Sequence, residues 1–200
     1  MRTSDQQLIR GLQERNGDRE RATSGGIHPR KVIPPITVNA LRAAERAVGF
    51  GFPELLRALY LEVGNGGFGP EYGIVGTKGG AKLDKRTLET CYAELVKLER
   101  ENTVWRWPTR LLPLANYGCG MWSCVDCADQ KLPMVLWDPN NLDAELEGEE
   151  AQANWANSFW DQDRSMRKWL EDWLAEKQGP EPKWPSKSWV RKRLGFKLPK

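Results

Sequence analysis

Three groups of residues in this 200-residue sequence have the types and spacing that could do chemistry. The stretch GNGGFG, residues 64–69, has the G-x-G-x-x-G spacing of a dinucleotide-binding loop, and Asp84 stands twenty positions beyond its first glycine. Cys119, Cys124 and Cys127 form C-x4-C-x2-C, in which the last pair has the spacing of two tetrahedral zinc ligands. Glu45, Asp126 and Asp138 are the carboxylates that could share an acidic pocket, Asp126 and Asp138 because each ends a candidate strand. Nucleophilic catalysis has little to draw on. The chain has one histidine, His28, so neither a Ser-His nor a Cys-His pair is easily assembled.

The elements around each group decide what it can do. From Thr37, a capping residue, Val38, Leu41, Ala44 and Val48 recur at helical spacing until Gly49. Pro53 suits the first turn of a second helix, whose stripe of Leu55, Leu56, Leu59, Tyr60 and Val63 runs directly into Gly64. A dinucleotide loop needs a strand there, followed by a helix N-terminus facing the pyrophosphate. Here the glycine follows the carbonyl end of a helix, where partial negative charge repels phosphate. GNGGFG therefore reads as a helix stop, with Gly64 expected in the left-handed conformation common at such ends.

A short strand is expected at YGIVG, and Thr87 can cap a third helix carrying Leu88, Cys91, Tyr92, Leu95 and Leu98 on one face. RLLPLA, MWSCVD and PMVLWD are three further strand candidates. Their short connections favour antiparallel or mixed pairing, because a parallel crossover needs about a dozen residues or more. The acidic stretch NNLDAELEGEE reads as an exposed loop. A last long helix starts at Ser158 or Ser165 and carries Met166, Trp169, Leu170, Trp173 and Leu174. This order predicts an α+β fold, a single domain whose central β-sheet is packed by helices.

Charge divides the chain into three parts. Residues 1–31 hold seven basic and four acidic side chains, residues 32–177 sixteen and twenty-two, and residues 178–200 seven and one. An acidic domain of −6 thus lies between a polar lead, read as a weak helix followed by a flexible segment, and a basic Pro/Lys/Trp-containing tail. The tail has Trp184, Trp189 and Phe196 among its cations, a pattern suited to nucleic acid, or to packing back onto the domain. No run of 18 uncharged apolar residues is present and the N-terminus lacks the centre of a signal peptide, so a cytoplasmic location is expected.

In a strand MWSCVD, Cys124 and the other cysteines fall on separate positions unless a turn begins near Cys127, and Cys91, the fourth candidate with His28, lies on an apolar helical stripe. No metal or other cofactor is favoured. Asp126 and Asp138 serve equally well as strand-end residues accepting backbone N–H bonds. Of the ten tryptophans, Trp137, Trp169 and Trp173 sit at core positions. Trp105, Trp107, Trp155 and Trp160 lie in irregular segments, and together with Tyr117 they are candidate contacts for a protein partner. Asp143, Glu145, Glu147, Glu149 and Glu150 are candidates for electrostatic attraction of such a partner.

The order of short motifs resembles the SUKH superfamily, the Smi/Knr-like proteins. The resemblance rests on Glu45, Gly49, Pro53 and Asn65-Gly66-Gly67, on Leu111-Leu112-Pro113, Gly118, Gly120 and Cys124-Val125-Asp126, on Trp137-Asp138, and on Ser158-Phe159, over roughly residues 36–175. It implies an α+β domain that binds a partner and has no catalytic centre of its own. Its bacterial members are mostly immunity proteins, so the implied partner is a cognate toxin domain; the acidic middle of the chain suits a nuclease, whose basic cleft an acidic binder would cover. A regulatory scaffold of the same family and a nucleic-acid role for the tail are the alternatives. This sequence departs from the family pattern at Asn116-Tyr117, at Asn140, in the cysteines at 119 and 127, and in both charged arms.

Overall fold

The computed structural model describes residues 3–26, 29–101, 104–184 and 186–195. Four strands, β1 (Leu111–Gly118), β2 (Met121–Asp126), β3 (Pro133–Trp137) and β4 (Phe159–Ser165), form one sheet in the order β1-β2-β3-β4. All neighbouring pairs are antiparallel, as the short β1–β2 and β2–β3 connections require, whereas the longer connection from β3 to β4 carries a helix and leaves either direction open. The described helices are α1 (Thr3–Gly17), α2 (Val38–Val48), α3 (Glu54–Ala58), α4 (Leu88–Glu101), α5 (Gly148–Ala156), α6 (Met166–Leu174) and α7 (Lys187–Arg193). The fold is a single α+β domain.

Several boundaries follow directly from local chemistry. The Thr37 hydroxyl accepts the Ala40 N–H at 3.2 Å to open α2, and Gly49 closes it in the left-handed region, φ 85°, with its N–H on the Glu45 carbonyl. Leu41, Ala44 and Val48 are the buried face between these caps. Ser165 opens α6 in the same way, accepting the Lys168 N–H at 3.3 Å. Residues 158–165 are therefore not part of that helix: Ser158 precedes β4, a fourth strand the sequence pattern concealed.

α3 continues as a π-helical turn over Leu59–Val63 that places Leu59, Tyr60 and Val63 in the core, and the Tyr60 hydroxyl donates to the Val75 carbonyl at 2.7 Å. The turn ends at Gly64, but with φ 161° and ψ 164° this residue is extended, not left-handed. Close packing explains the glycine, since a Cβ here would lie 2.7 Å from the Ile33 carbonyl oxygen. YGIVG makes a bridge from Ile74 to Ala115 instead of a named strand, and Val75 donates to the Leu114 carbonyl at 2.9 Å along the edge of β1.

Directly opposed residues of antiparallel strands share a face. Ala115, Ser123, Leu136 and Trp160 form one cross-strand row, and Asn116, Trp122, Trp137 and Phe159 form the adjacent row on the opposite face. The second face holds the aromatic core, in which Trp107 meets Trp137 edge to face at 5.2 Å and Trp155 meets Phe159 at 5.1 Å. α6 lies against β3 and β4 and buries Met166, Trp169 and Leu170.

Both charged arms contribute to this core. The polar lead expected to be a weak helix and a flexible segment forms α1, whose Leu8, Ile9 and Leu12 are buried, while Asn16 donates to the Val63 carbonyl at 3.1 Å. Beyond it, Ala22 is fully buried and its carbonyl accepts the Gly69 N–H. The basic tail runs beside β4 and ends in α7, which buries Val190 and Leu194 and sets Trp189 against Phe159 at 5.6 Å. Few apolar residues sufficed in each arm because the domain supplies the other half of the contact. The last three residues of the acidic stretch, 148–150, are not loop but the first turn of α5, which buries Ala151, Trp155 and Ala156. His28 and Phe196 lie outside the described residues.

Candidate functional site

The GNGGFG loop is a structural knot between two segments of backbone. Its N–H groups are engaged internally: Gly64 donates to Leu59, Asn65 to Ile33 and Pro34, Gly67 to Ile74 at 2.8 Å, and Gly69 to Ala22 at 2.8 Å. A phosphate cradle needs such donors free. Asn65 is buried, and its side-chain oxygen accepts the Thr77 N–H at 2.8 Å and the Thr77 hydroxyl at 3.1 Å. Gly66 has φ 78°, and a Cβ there would lie 2.5 Å from the Gly76 nitrogen. Gly67, also at positive φ, continues the crossing. Asn-Gly-Gly is thus needed to interlock the loop with residues 74–81.

The three carboxylates do not converge. β2 and β3 are antiparallel, with Trp122 opposite Trp137 and Val125 opposite Met134, so Asp126 and Asp138 mark opposite ends of the sheet. With four paired residues between those ends, five strand steps of about 3.4 Å set them roughly 17 Å apart, beyond the 5–9.5 Å of a glycosidase pair. Asp126 is buried, meets Arg193 of α7 at 2.9 Å and accepts the Ala128 N–H at 3.0 Å. Asp138 accepts the N–H and side-chain amide of Asn140 at 3.0 and 2.7 Å. Glu45 pairs with Arg57 and accepts the Phe52 N–H at 2.8 Å, fastening the end of α2 to α3. Each carboxylate is thereby assigned to local structure.

The cysteines are likewise apart. Cys119 is exposed in the β1–β2 turn, while Cys127 follows the far end of β2, so most of a six-residue strand lies between them. Burial pushes the Cys124 thiol well up, that of Cys127 up to about 12 and that of Cys91 to about 11, which disfavours the thiolate a metal requires. Among the described residues no group of three or more His, Cys, Asp or Glu could hold a metal ion.

The proposed contact tryptophans separate into two classes. Trp107 and Trp155 are buried, and their indole N–H groups donate to the Leu111 and Arg106 carbonyls at 2.7 and 3.2 Å. They belong to the core and cannot meet a partner. Trp105 is half-buried and stacks on Trp155 at 5.9 Å. On the outer face, Trp160 is half-buried and meets Trp184, which is 56% exposed, at 4.4 Å with the rings tilted by 36°; Tyr117 on β1 is 45% exposed. Sequence reasoning placed Trp184 in the tail, and only the fold brings it beside Trp160.

Asp143, Glu145 and Glu147 are exposed in the segment that leaves β3 at the same end of the sheet as the β1–β2 turn. Glu149 and Glu150, also exposed, occupy the first turn of α5, where carboxylates favour a helix start. This end of the sheet therefore carries exposed aromatics together with acidic residues.

Beneath the outer face lies a polar chain. Ser123 donates to Glu71 at 2.7 Å and accepts from Gln162 at 2.7 Å, and Gln162 accepts from Arg164 at 3.1 Å. The second Glu71 oxygen is buried without a hydrogen-bond partner. Burial raises the Glu71 carboxyl to about 7, against the opposing pull of the Ser123 hydroxyl, the neighbouring Trp169 indole and the Arg164 charge. Motif inspection missed Glu71 because nothing in its local sequence announces burial.

A groove of about 720 Å³ lies between α4, the 81–86 segment and the β1–β2 turn, with Ile74, Leu95, Leu98 and Trp122 in its apolar lining. Its lining cations Lys82 and Arg86 are matched by Asp84 and Glu94, which pair with Arg86 at 3.2 and 3.1 Å, so the groove offers no net positive charge to an anionic ligand. No helix among the described residues is long and apolar enough to cross a membrane.

No curated protein and no solved structure matches the chain. The SMI1 / KNR4 family (SUKH-1) matches it over residues 35–176, the span that contains the sheet, α2 to α6 and the interlocked Asn-Gly-Gly. That match takes in well over half of the sequence, and the chain belongs to the SMI1 / KNR4 family (SUKH-1).

Proposed function

We infer that this chain is an immunity-type protein that binds a cognate bacterial toxin domain and neutralises it by covering its active surface, with no chemistry of its own. Family membership makes a protein partner the leading class, and the observation that carries the reading is the set of surface aromatics, exposed Tyr117 and Trp184 with half-buried Trp160, at the sheet end that also carries an acidic segment. Aromatic side chains at the centre of an interface supply most of its affinity, and flanking carboxylates chiefly raise the association rate with a basic surface. A nuclease fits such a binder well, because its cleft must be basic to hold phosphates.

The test is co-expression with the C-terminal domain of the protein encoded by the adjacent gene, where this reading expects the toxin. The reading predicts restored growth and a copurifying complex. Toxicity without rescue, or the absence of a complex, contradicts it.

A further inference from the structure

β4 is the last strand of the sheet, and its open edge is occupied at one place by the chain itself. Asp161 and Lys183 exchange both backbone hydrogen bonds, each at 2.7 Å, as in one rung of an antiparallel ladder. The side chains beside that rung are matched as well. The Lys183 ammonium meets Asp163 at 2.7 Å, and Trp184 lies over Trp160 at 4.4 Å. The edge thus recognises an extended segment bearing a cation followed by an aromatic ring.

The resident segment is poorly suited to extend this pairing. Its sequence is PEPKWP, and Pro185, two positions beyond Lys183 where the ladder would next need a donor, has no N–H to give. On the β4 side, Asp163 stands at φ 51° with its N–H turned to the Asp161 side chain at 2.8 Å. Trp184 and the Lys183 side chain remain more than half exposed. Beyond this segment α7 is held independently, by buried Val190 and Leu194 and by Arg193 on Asp126. Residues 181–184 can leave the edge while both flanking anchors stay in place.

We propose that the β4 edge is a strand-accepting site for an extended Lys/Arg-aromatic segment of a partner protein, and that residues 181–184 are its internal stand-in, displaced when the partner strand adds to the sheet. The geometry is that of β-augmentation, in which main-chain bonds hold the strand and alternate side chains select it. The choice of a basic, aromatic strand is read from Lys183–Asp163 and Trp184–Trp160. The identity of the natural partner as a toxin domain rests on the function proposed above.

The experiment uses the full chain and a synthetic peptide, GPEVKWTSK, which repeats residues 179–187 with the two prolines at 182 and 185 replaced. A tethered segment competes at an effective concentration on the order of millimolar, so the peptide is measured against the unmodified chain and against Trp184→Ala, which weakens the stand-in. Trp184 is exposed, and circular dichroism confirms that the variant is folded. The expected results are peptide binding at least tenfold tighter to Trp184→Ala, loss of hydrogen-exchange protection at the Lys183 amide, and retained protection at Asp161. Asp163→Lys should abolish the binding. Failure of the peptide to bind Trp184→Ala, or binding that leaves Lys183 protected, overturns the proposal. The two readings fail separately. Toxin neutralisation with the Lys183 amide unchanged in the complex removes the edge site and leaves the immunity role, whereas peptide capture without neutralisation does the reverse.

Discussion

Replacing Glu71 by glutamine should remove a pH dependence that the native chain carries. The Glu71 carboxyl has an ordinary value of 4.5 and is raised to about 7 in the folded protein, first by burial. A carboxyl raised on folding favours the folded state while it is protonated. Its contribution is fully present below about pH 4.5 and is lost as the pH climbs through about 7. The interval of about 2.5 pH units corresponds to about 3 kcal/mol, of which roughly 2.5 kcal/mol falls between pH 5 and pH 8. Glutamine keeps the acceptor for Ser123 and places an amide at the buried, unpartnered oxygen, a change that costs about 1 kcal/mol at pH 5, where the native carboxyl is neutral. The order reverses near pH 6, and above pH 7.5 the variant is the more stable by about 1–2 kcal/mol. Urea unfolding followed by tryptophan fluorescence at pH 5, 6, 7 and 8 measures both curves. Parallel curves for the two proteins, or a variant less stable at every pH, would refute the assignment of a buried, proton-binding Glu71.

Other elements of the structure give equally direct expectations. Arg193→Ala leaves Asp126 buried without its cation and should lower stability by about 3–5 kcal/mol in urea unfolding, whereas a solvated tail predicts a change near zero. Gly66→Ala places a methyl group against the Gly76 backbone at φ 78° and should cost more than roughly 2 kcal/mol, read as a fall in the denaturation midpoint. If the acidic segment at Asp143, Glu145 and Glu147 steers the toxin, raising the salt concentration should slow association in stopped-flow mixing and leave dissociation nearly unchanged.

Much of the architecture was legible in the sequence where local chemistry alone sets the outcome. Thr37, Gly49 and Ser165 act through their own hydroxyl or backbone freedom, and the apolar stripes of α2 and α4 need no distant partner to be recognised. The strands β1, β2 and β3 were equally plain, being apolar runs between turn residues. What remained hidden depends on contacts far along the chain. β4 reads as FWDQDRS, polar along much of its length, because Gln162 and Arg164 are satisfied by Ser123 and one another beneath the outer face. α5 is concealed by glutamates that favour its N-terminus, and α1 and α7 bury only a few apolar side chains each against surfaces formed by other segments.

The candidate site shows the same division. Of the aromatic residues singled out in the sequence, Tyr117 is exposed and Trp160 half-buried, whereas Trp107, in an irregular segment, and Trp155, in α5, lie in the aromatic core. An indole in a loop is buried as readily as one in a helix when a carbonyl is positioned to accept its N–H, as Leu111 does for Trp107 and Arg106 for Trp155. Trp184 could not be assigned to the face from its position in a basic tail, since only the rung between Asp161 and Lys183 sets it over Trp160.

The central claim, that the outer sheet face binds and neutralises a toxin domain, is tested most directly by titration calorimetry of the neighbouring toxin domain into the native chain and into Tyr117→Ala/Trp160→Ala. The account predicts a tight complex with the native chain and at least about 30-fold weaker binding by the double variant, equivalent to about 2 kcal/mol, with both proteins remaining folded through the titration. Equal affinity for the two proteins, or no complex with either, would contradict it.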